Sequence, residues 1–333
     1  MASRAPNARC FVATDSERRQ VSNAFECGLS CRIDSSRAVI LRNMSEVPQI
    51  SIIIAAYNDW NALRDCLQSI ADQERPPRFE VLVIDDGSDQ LVPETILRES
   101  KKLSMRILRQ NHVGIADARN RGIQLATGEV LLFTDCDCLL DRKCLKELLE
   151  TTEKLSKDEY FQLHLTGDIR TAVGRAETLQ LLAVQRERLV SSGQVMYLNT
   201  SGFAIRRSAT ASRLRLFDPL ARRAEDTLLL SSLMSEGHLP FYVRTATIQH
   251  RVGLSLYRYA LRGIVIGYQE GYAYARIEEN GTNPKIGIRR RLELLVRLFQ
   301  TSRSSSLGTV AFLTVVVRQI LRIFGSSAYR VVK

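Results

Sequence analysis

Two aspartates, Asp135 and Asp137, lie one residue apart at the end of the apolar segment EVLLFTDCDC, residues 129–138. On an extended chain successive side chains face opposite sides, so we expect the two carboxylates to project together and Cys136 and Cys138 to face away. Paired carboxylate oxygens suit Mg²⁺ or Mn²⁺, ions that usually complete their coordination with substrate phosphates and water. The sequence therefore predicts a divalent-cation site. A soft-metal site using both cysteines and a capping role at the next helix stay open as alternatives.

A second acidic pair, Asp85 and Asp86 in the segment VIDDGS, follows another apolar stretch. Asp and Gly are ordinary turn formers, so this pair alone would fit a turn as well as a binding site. A functional interpretation is favoured because two acidic strand ends, separated by one strand–helix unit, would converge at the same edge of one sheet.

The elements that would position these carboxylates alternate between strand and helix from Pro48 onward. Buried-strand patterns occur in QISIIIAAY, FEVLVI, MRILRQ and EVLLFTD, and helical spacing separates them. Alternation of this kind implies right-handed crossovers and a mainly parallel sheet, in which ligands bind beyond the carboxyl ends of the strands. The predicted fold class is therefore α/β.

Composition and charge limit the class of protein. The 333 residues are 45% hydrophobic, which is enough for a sizeable core. The seven scattered cysteines form no zinc-ribbon spacing, which argues against a structural-zinc or disulfide framework and favours a reducing cytoplasm. The N-terminal segment lacks the apolar stretch of a secretory signal.

The sequence divides into three predicted parts. Residues 1–47 show no sustained period and are expected to be a poorly ordered leader, and residues 48–250 form the α/β domain. Residues 251–333 hold 14 basic and four acidic residues, so they carry nearly all of the net charge of +11. That charge predicts an anionic partner for this basic helical extension.

The last segment of this extension has an apolar run from Leu307 to Val317, about half the length that a membrane-spanning helix needs. Arg318 and Arg322 interrupt its continuation. We expect the segment to lie on a bilayer surface, with its apolar face in the membrane and these arginines at the anionic headgroups. The alternative is a helix docked on the catalytic domain or on a partner in a homodimer.

Several motifs occur in an order that resembles the family 2 glycosyltransferases. These are ISIIIAAYN, FEVLVIDDGSD, GIADARNRGIQLATGEVLLFTDCD and the later AED, and the resemblance covers roughly residues 48–250. It implies the GT-A fold, with a mainly parallel sheet flanked by helices. It also implies a metal-dependent glycosyltransferase of hexosyltransferase type that uses a nucleotide-sugar donor.

The resemblance assigns roles at the strand ends. Ala55 and Tyr57 would contact the nucleotide base, and Asp86 would hydrogen-bond to it. Asp135 would approach the ribose or the metal, and Asp137 would bind the Mg²⁺ or Mn²⁺ that bridges the diphosphate.

Further positions follow from the same resemblance. Asp226 would be the catalytic base with Glu225 beside it in the substrate site, although a helix-start aspartate is common without catalysis. Arg119 would fix the diphosphate side of the pocket or pair with nearby carboxylates. His250 matches a third metal ligand of some GT-A enzymes. Gly202 would allow close approach of the donor sugar, or is an ordinary turn glycine.

The expected reaction is inverting transfer of a sugar, with UDP as the first choice of nucleotide, to an acceptor hydroxyl. A carbohydrate or lipid-linked acceptor, as in surface polysaccharide biosynthesis, would suit a cytoplasmic protein held peripherally at the membrane. A dinucleotide-dependent oxidoreductase would carry GxGxxG where this chain has AAYNDW. A nucleic-acid binder would leave the acidic strand ends unexplained. A catalytically inactive scaffold or membrane-binding protein stays open.

Overall fold

The computed structural model describes residues 47–100, 103–211, 213, 215–221, 224–279, 288–304 and 307–332. The description concerns the compact unit that begins at Val47. The predicted leader, residues 1–47, lies outside the described residues apart from Val47.

One eight-stranded sheet runs through the described part of the chain in the order β3-β2-β1-β4-β7-β6-β8-β5. Strands β3, β2, β1 and β4 are parallel neighbours, β7 is antiparallel to β4 and β6, β8 is parallel to β6, and β5 is antiparallel to β8. The strands are β1 (Ile50–Ala56), β2 (Phe79–Asp85), β3 (Met105–Arg109), β4 (Val130–Asp135), β5 (Cys138–Leu140), β6 (Tyr160–Gly167), β7 (Phe203–Arg206) and β8 (Phe241–His250).

Helices cover this sheet and extend beyond it. Over the described ranges they are α1 (Trp60–Ala71), α2 (Glu94–Ser100), α3 (Ile115–Leu125), α4 (Cys144–Lys154), α5 (Ala172–Glu187), α6 (Glu225–Ser235), α7 (Leu256–Glu279), α8 (Ile288–Ser304) and α9 (Thr309–Val332). The prediction of an α/β fold with a mainly parallel sheet is confirmed, since four of the seven strand pairings in this sheet are parallel.

The core forms because the central strands are apolar on both faces. Every residue of β1 is buried, and α1 packs Leu63, Leu67 and Ile70 against the sheet. Full burial of one such side chain stabilises the fold by about 1.5–3 kcal/mol. The register pairs Ala56 with Asp85 and Ala55 with Asp135, so the acidic ends of β2 and β4 flank the end of β1.

The C-terminal helices pack on the α/β domain through α5. Val173 and Leu179 of α5 share a buried cluster with Tyr259 of α7, Leu298 of α8 and Val315 of α9. Helices α7 and α9 also approach each other closely, because a Cβ atom at Gly263 would lie 2.5 Å from the carbonyl oxygen of Arg318. Larger side chains on this face of α7 would therefore separate the two helices.

The expectation that Arg318 and Arg322 lie at lipid headgroups is wrong. Arg318 is 7% exposed and pairs with Glu177 of α5, and Arg322 forms an ion pair with Glu270 of α7. Both guanidinium groups instead pair with carboxylates on neighbouring helices, as charged groups removed from solvent usually do.

Helix α9 has the length and composition of a membrane-crossing helix between Gly308 and Tyr329, with a mean hydropathy of 1.5. It alone meets this test in the described part of the chain. Core helices of soluble proteins can meet the same test, but such helices are mostly buried. In α9 only 22% of the segment is buried.

Candidate active site

A cavity of about 1700 Å³ opens beyond the carboxyl ends of β1, β2 and β4 and extends toward the C-terminal helices. The residues predicted from the sequence that line it are Ala55, Tyr57, Asp86, Arg119, Asp135, Asp137, Glu225, Asp226 and His250. The fold therefore brings together side chains that are separated by as many as 195 positions, the interval between the residue numbers of Ala55 and His250.

The chain is not extended between the two aspartates. Asp135 is the last residue of β4, Cys136 and Asp137 form a turn, and Cys138 begins β5. The prediction that both cysteines face away is wrong for Cys136, which lines the cavity, because the turn ends the strict alternation of the strand. Burial raises the pKa of both thiols, with the negative charge of Asp137 adding to the effect, and this disfavours the thiolate form that a soft metal binds.

His250 joins this turn because β5 pairs with the end of β8. Cys138 is the register partner of His250, and His250 Nε2 lies 3.3 Å from Asp137 Oδ2. Ligand atoms of Asp137, Cys138 and His250 lie within 4.8 Å of one another. The carboxylate and the imidazole are the two members of this group suited to a hard or borderline divalent cation.

Glu177 of α5 lies on the other side of the His250 ring. Its Oε1 is 3.4 Å from His250 Nδ1, so the imidazole is between two carboxylates. Burial disfavours the charged imidazolium, but hydrogen bonds to Asp137 and Glu177 outweigh this and raise the pKa of His250 to about 10. The ring therefore carries a proton on each nitrogen when no cation competes for it.

Arg119 connects the metal side of the cavity to the helix that carries the predicted base. Its Nη2 donates to Asp135 Oδ1 at 2.6 Å and its Nη1 donates to Glu225 Oε1 at 2.5 Å. Ser201 Oγ donates to the other Asp135 oxygen at 2.6 Å. Arg119 is 1% exposed, so of its two predicted roles the pairing with nearby carboxylates is the one seen in the structure.

Asp226 follows Glu225 in the first turn of α6 and faces the same cavity. Burial, together with the negative charge of Glu225, raises the pKa of Asp226 to about 7, and the hydrogen bond from the Thr227 amide only partly opposes this. A carboxylate that titrates near neutrality can accept a proton and release it again.

Aromatic rings and a structured loop form the opposite end of the cavity. The Tyr57 ring stacks on His112, with centroids 4.2 Å apart and an interplanar angle of 24°. Asp86 is 3% exposed and accepts hydrogen bonds from the amides of Val113 and Gly114 at 3.1 and 2.9 Å. Asp86 therefore fixes the loop that carries His112.

Asp85 and Gly202 face away from the cavity. Asp85 is fully buried and accepts a hydrogen bond from the Ser88 amide, which is a turn role. A Cβ atom at Gly202 would lie 2.7 Å from Leu165 Cδ2, so the glycine packs closely against the end of a side chain of β6. Gly202 is absent from the described cavity lining, whereas Ser201 beside it is present.

Sequence reasoning missed three residues of this site. The sequence did not single out His112, Ser201 or Glu177 as site residues, although all three line the cavity. A weak signal existed for His112, because it follows β3 and so belongs to the same sheet edge as Asp86. Glu177 lies within a helix and has no such signal.

Known proteins with similar sequences and structures identify the family. Residues 51–213 match the family described as "Glycosyl transferase family 2". An N-acetylglucosaminyltransferase of Rhizobium leguminosarum bv. phaseoli is 31% identical over 37% of this chain and 30% of its own length. Poly(ribitol-phosphate) beta-N-acetylglucosaminyltransferase TarS of Staphylococcus aureus is 31% identical over 30% of this chain and 18% of its own.

The fold matches solved structures over a longer range. The mannosyltransferase PcManGT from Pyrobaculum calidifontis, in complex with GDP-Man and Mn²⁺, aligns with a TM-score of 0.61 at 14% identity, over 96% of this chain and 94% of that one. By sequence, the chain spans only about a third or less of the length of its curated relatives. The matched part is 31% of the length of one of them and 30% of the length of the Rhizobium enzyme. Residues 51–213, with the GT-A fold around them, form a glycosyl transferase family 2 domain.

Proposed function

We propose that this chain is an inverting, metal-dependent glycosyltransferase that moves a sugar from a nucleotide-diphosphate sugar to an acceptor hydroxyl. One observation carries the proposal. Asp226, whose pKa is raised to about 7, faces the same cavity as the pair Asp137 and His250. A proton acceptor and a cation site thus share one cavity at the carboxyl edge of a GT-A sheet.

The residues at the turn after β4 fit a divalent cation. The Asp137 side chain is 35% exposed toward the cavity and its nearest described charged partner is His250. A cation would be held by Asp137 and His250 and would replace the proton that these two groups share. Bound there, Mg²⁺ or Mn²⁺ would supply charge stabilisation for a departing diphosphate. Arg119 and Ser201 keep Asp135 ionised and oriented beside that position.

Asp226 is the proposed catalytic base. It would remove the proton from the acceptor hydroxyl as that oxygen attacks the anomeric carbon from the side opposite the diphosphate, and so the anomeric configuration would invert. Arg119 holds Glu225 in place and so fixes the first turn of α6.

The aromatic end of the cavity is the proposed nucleotide-base site, with Tyr57 and Ala55 as its contacts. UDP is the first choice of nucleotide, and the complexes of PcManGT with GDP-Man and of TarS with UDP support a nucleoside diphosphate more generally. The alternative proposal is a catalytically inactive scaffold. An active transferase and an inactive scaffold would have the same fold.

The testing experiment measures thermal unfolding of the full chain with UDP, GDP or dTDP, each with Mn²⁺ or with EDTA. A nucleotide at about 100 times its dissociation constant should stabilise the protein by roughly 2.7 kcal/mol. We expect one nucleotide to stabilise the wild type in a Mn²⁺-dependent way and Asp137→Ala to lose that dependence. Asp72→Ala, at the exposed C-terminal end of α1, serves as an acidic control. A folded protein that no nucleotide stabilises would favour the scaffold.

We also propose that the C-terminal helices dock on an anionic bilayer. Helix α9 exposes an apolar stripe at helical spacing, formed by Val310, Leu313, Val317, Ile320 and Phe324, each 47–65% exposed. Exposed arginines on the neighbouring helices, Arg258 of α7 with Arg297 and Arg303 of α8, supply positive charge. Apolar insertion and attraction to anionic lipid act together in this arrangement.

A membrane-bound enzyme of this kind would use a lipid-linked acceptor or a surface polysaccharide intermediate. The docking test is flotation of the full chain with vesicles of phosphatidylcholine, with and without phosphatidylglycerol. The wild type should float with the anionic vesicles, and Phe324→Glu with Leu313→Glu should abolish this. A wild-type chain that stays at the bottom with both vesicle types contradicts membrane docking and leaves the transfer proposal unaffected.

A further inference from the structure

A buried cluster outside the proposed reaction joins α5, α7 and α9. It contains Glu177, Tyr259 and Arg318, and each of these residues is less than 9% exposed. A carboxylate and a guanidinium are seldom this buried unless they pair. The cluster also borders the cavity, because all three residues line it.

The two oxygens of Glu177 face different parts of the molecule. Oε2 accepts hydrogen bonds from the Tyr259 hydroxyl at 2.5 Å and from Arg318 Nη1 at 3.0 Å. Oε1 lies 3.4 Å from His250 Nδ1. The Arg318 guanidinium stacks on the Tyr259 ring at 3.9 Å, which fixes both groups. The carboxylate therefore connects the C-terminal helices to the imidazole.

We infer that Glu177 and Arg318 are positioning residues for His250, through which α9 completes the proposed cation site. Glu177 holds Nδ1, so that Nε2 is directed at Asp137, and Arg318 with Tyr259 prevents the carboxylate from turning away. Metal-binding histidines usually donate their second ring N–H to a carboxylate or carbonyl group, which fixes the tautomer and the ring orientation. In this chain the carboxylate is in turn fixed by a residue 68 positions beyond His250.

This inference rests on the proposed function, because it needs a cation at Asp137 and His250. It goes further in placing part of the site on α9, which lies outside the matched residues 51–213. Loss of such a supporting group typically weakens metal binding about 10–100-fold.

The test titrates the full-length protein with Mn²⁺ in the presence of saturating UDP and follows free Mn²⁺ by electron paramagnetic resonance. Glu177→Gln and Arg318→Gln should each weaken Mn²⁺ binding by about tenfold or more. Arg318→Lys should recover part of the affinity, because it keeps the charge but loses the planar donor pair.

Arg322→Gln is the matched control. It breaks the ion pair between α9 and Glu270 of α7, one turn from Arg318 on the same helix, without touching Glu177 or His250. It should destabilise the fold as Arg318→Gln does, yet leave the Mn²⁺ affinity within about twofold of the wild type. Stability measured in EDTA confirms that every variant titrated is folded.

The possible outcomes separate the two proposals. Folded Glu177→Gln and Arg318→Gln proteins that bind Mn²⁺ as the wild type does overturn the inference and leave the proposed function standing. Equal weakening by Arg322→Gln also overturns it, because general loosening of α9 would then be the cause. A folded wild type that binds no Mn²⁺ overturns the metal-dependent function first, and the inference with it.

Discussion

Arg119 of α3 and Glu225 of α6, separated by 106 positions in the chain, are joined by a buried hydrogen bond of 2.5 Å from Nη1 to Oε1. Because the same guanidinium holds Asp135 at the end of β4, it sets the distance between the strand edge and the helix that carries Asp226. The buried Glu225 and the partly exposed Asp135 are therefore both paired with this one guanidinium.

Arg119→Ala should therefore destabilise the fold strongly. Breaking a buried ion pair from one side typically costs about 3–5 kcal/mol, because it leaves an uncompensated charge. Urea unfolding monitored by circular dichroism measures the loss. Arg98→Ala, which breaks an ion pair in which both side chains are more than three-quarters exposed, should cost about 1 kcal/mol or less. A similar loss of unfolding free energy in the two variants would contradict the conclusion that the buried ion pairs of Arg119 stabilise the fold.

Asp226→Asn should abolish transfer while nucleotide binding persists. Removal of a general base typically lowers the rate about 10²–10⁴-fold, and the amide cannot accept the acceptor proton. Nucleoside diphosphate release with and without acceptor measures the rate, and a UDP-induced melting shift measures binding. Activity of the variant near the wild-type level would remove Asp226 from the mechanism.

The rate of transfer should depend on pH through the titration of Asp226. Its pKa is about 7, so kcat/KM should rise with pH up to about that value and level off once the carboxylate is ionised. Burial is the main cause of the raised pKa, since it disfavours the charged form. The measurement is kcat/KM from pH 5 to 9 at constant metal saturation. A profile that is flat across pH 7 would assign the proton to another group.

The same residue should reduce stability at high pH. The folded pKa of about 7 exceeds the ordinary value of 3.8, so the cost of ionising Asp226 in the fold develops between these values and is complete above pH 7. Asp226→Asn should then be more stable than the wild type by on the order of 1–2 kcal/mol at pH 8, and about equal to it below pH 4. Thermal unfolding in EDTA at the two pH values measures the difference.

His112→Ala should weaken nucleotide binding. The ring stacks on Tyr57, so its loss removes the support of the proposed base contact as well as a stacking surface. Stacking of one base on an aromatic side chain is worth about 1–3 kcal/mol by alanine substitution, which sets the expected scale. Calorimetric titration with UDP measures it. His238→Ala, on the loop after α6, is the histidine control and should bind as the wild type does.

The alternation of strands and helices could be predicted because each central strand is a continuous apolar run. Ile50–Ala56 and Val130–Asp135 have no polar face, which is typical of a parallel sheet covered on both sides. The convergence of Asp86 and Asp135 at one edge follows from that topology. The order of the strands and helices along the chain is therefore sufficient to predict that these two residues lie at the same edge of the sheet.

The rest of the site depends on pairings between distant segments, which local sequence does not encode. Strand β5 has three residues and returns to pair with β8, and this places Asp137 beside His250. Glu177 lies in a helix whose pattern indicates only burial. Arg318 and Arg322 read as surface charges because their partners, Glu177 and Glu270, are 141 and 52 positions away.

The inward ion pairs of α9 bear on how this protein is shortened for expression. A chain shortened to end after His250 would keep the α/β domain and would lack the exposed apolar stripe of α9. It would also lose Tyr259 and Arg318, and the Glu177 carboxylate would face His250 with no cation behind it. Protein engineers who want a soluble version should instead keep α9 and replace its outward residues, such as Leu313 and Phe324, with polar ones.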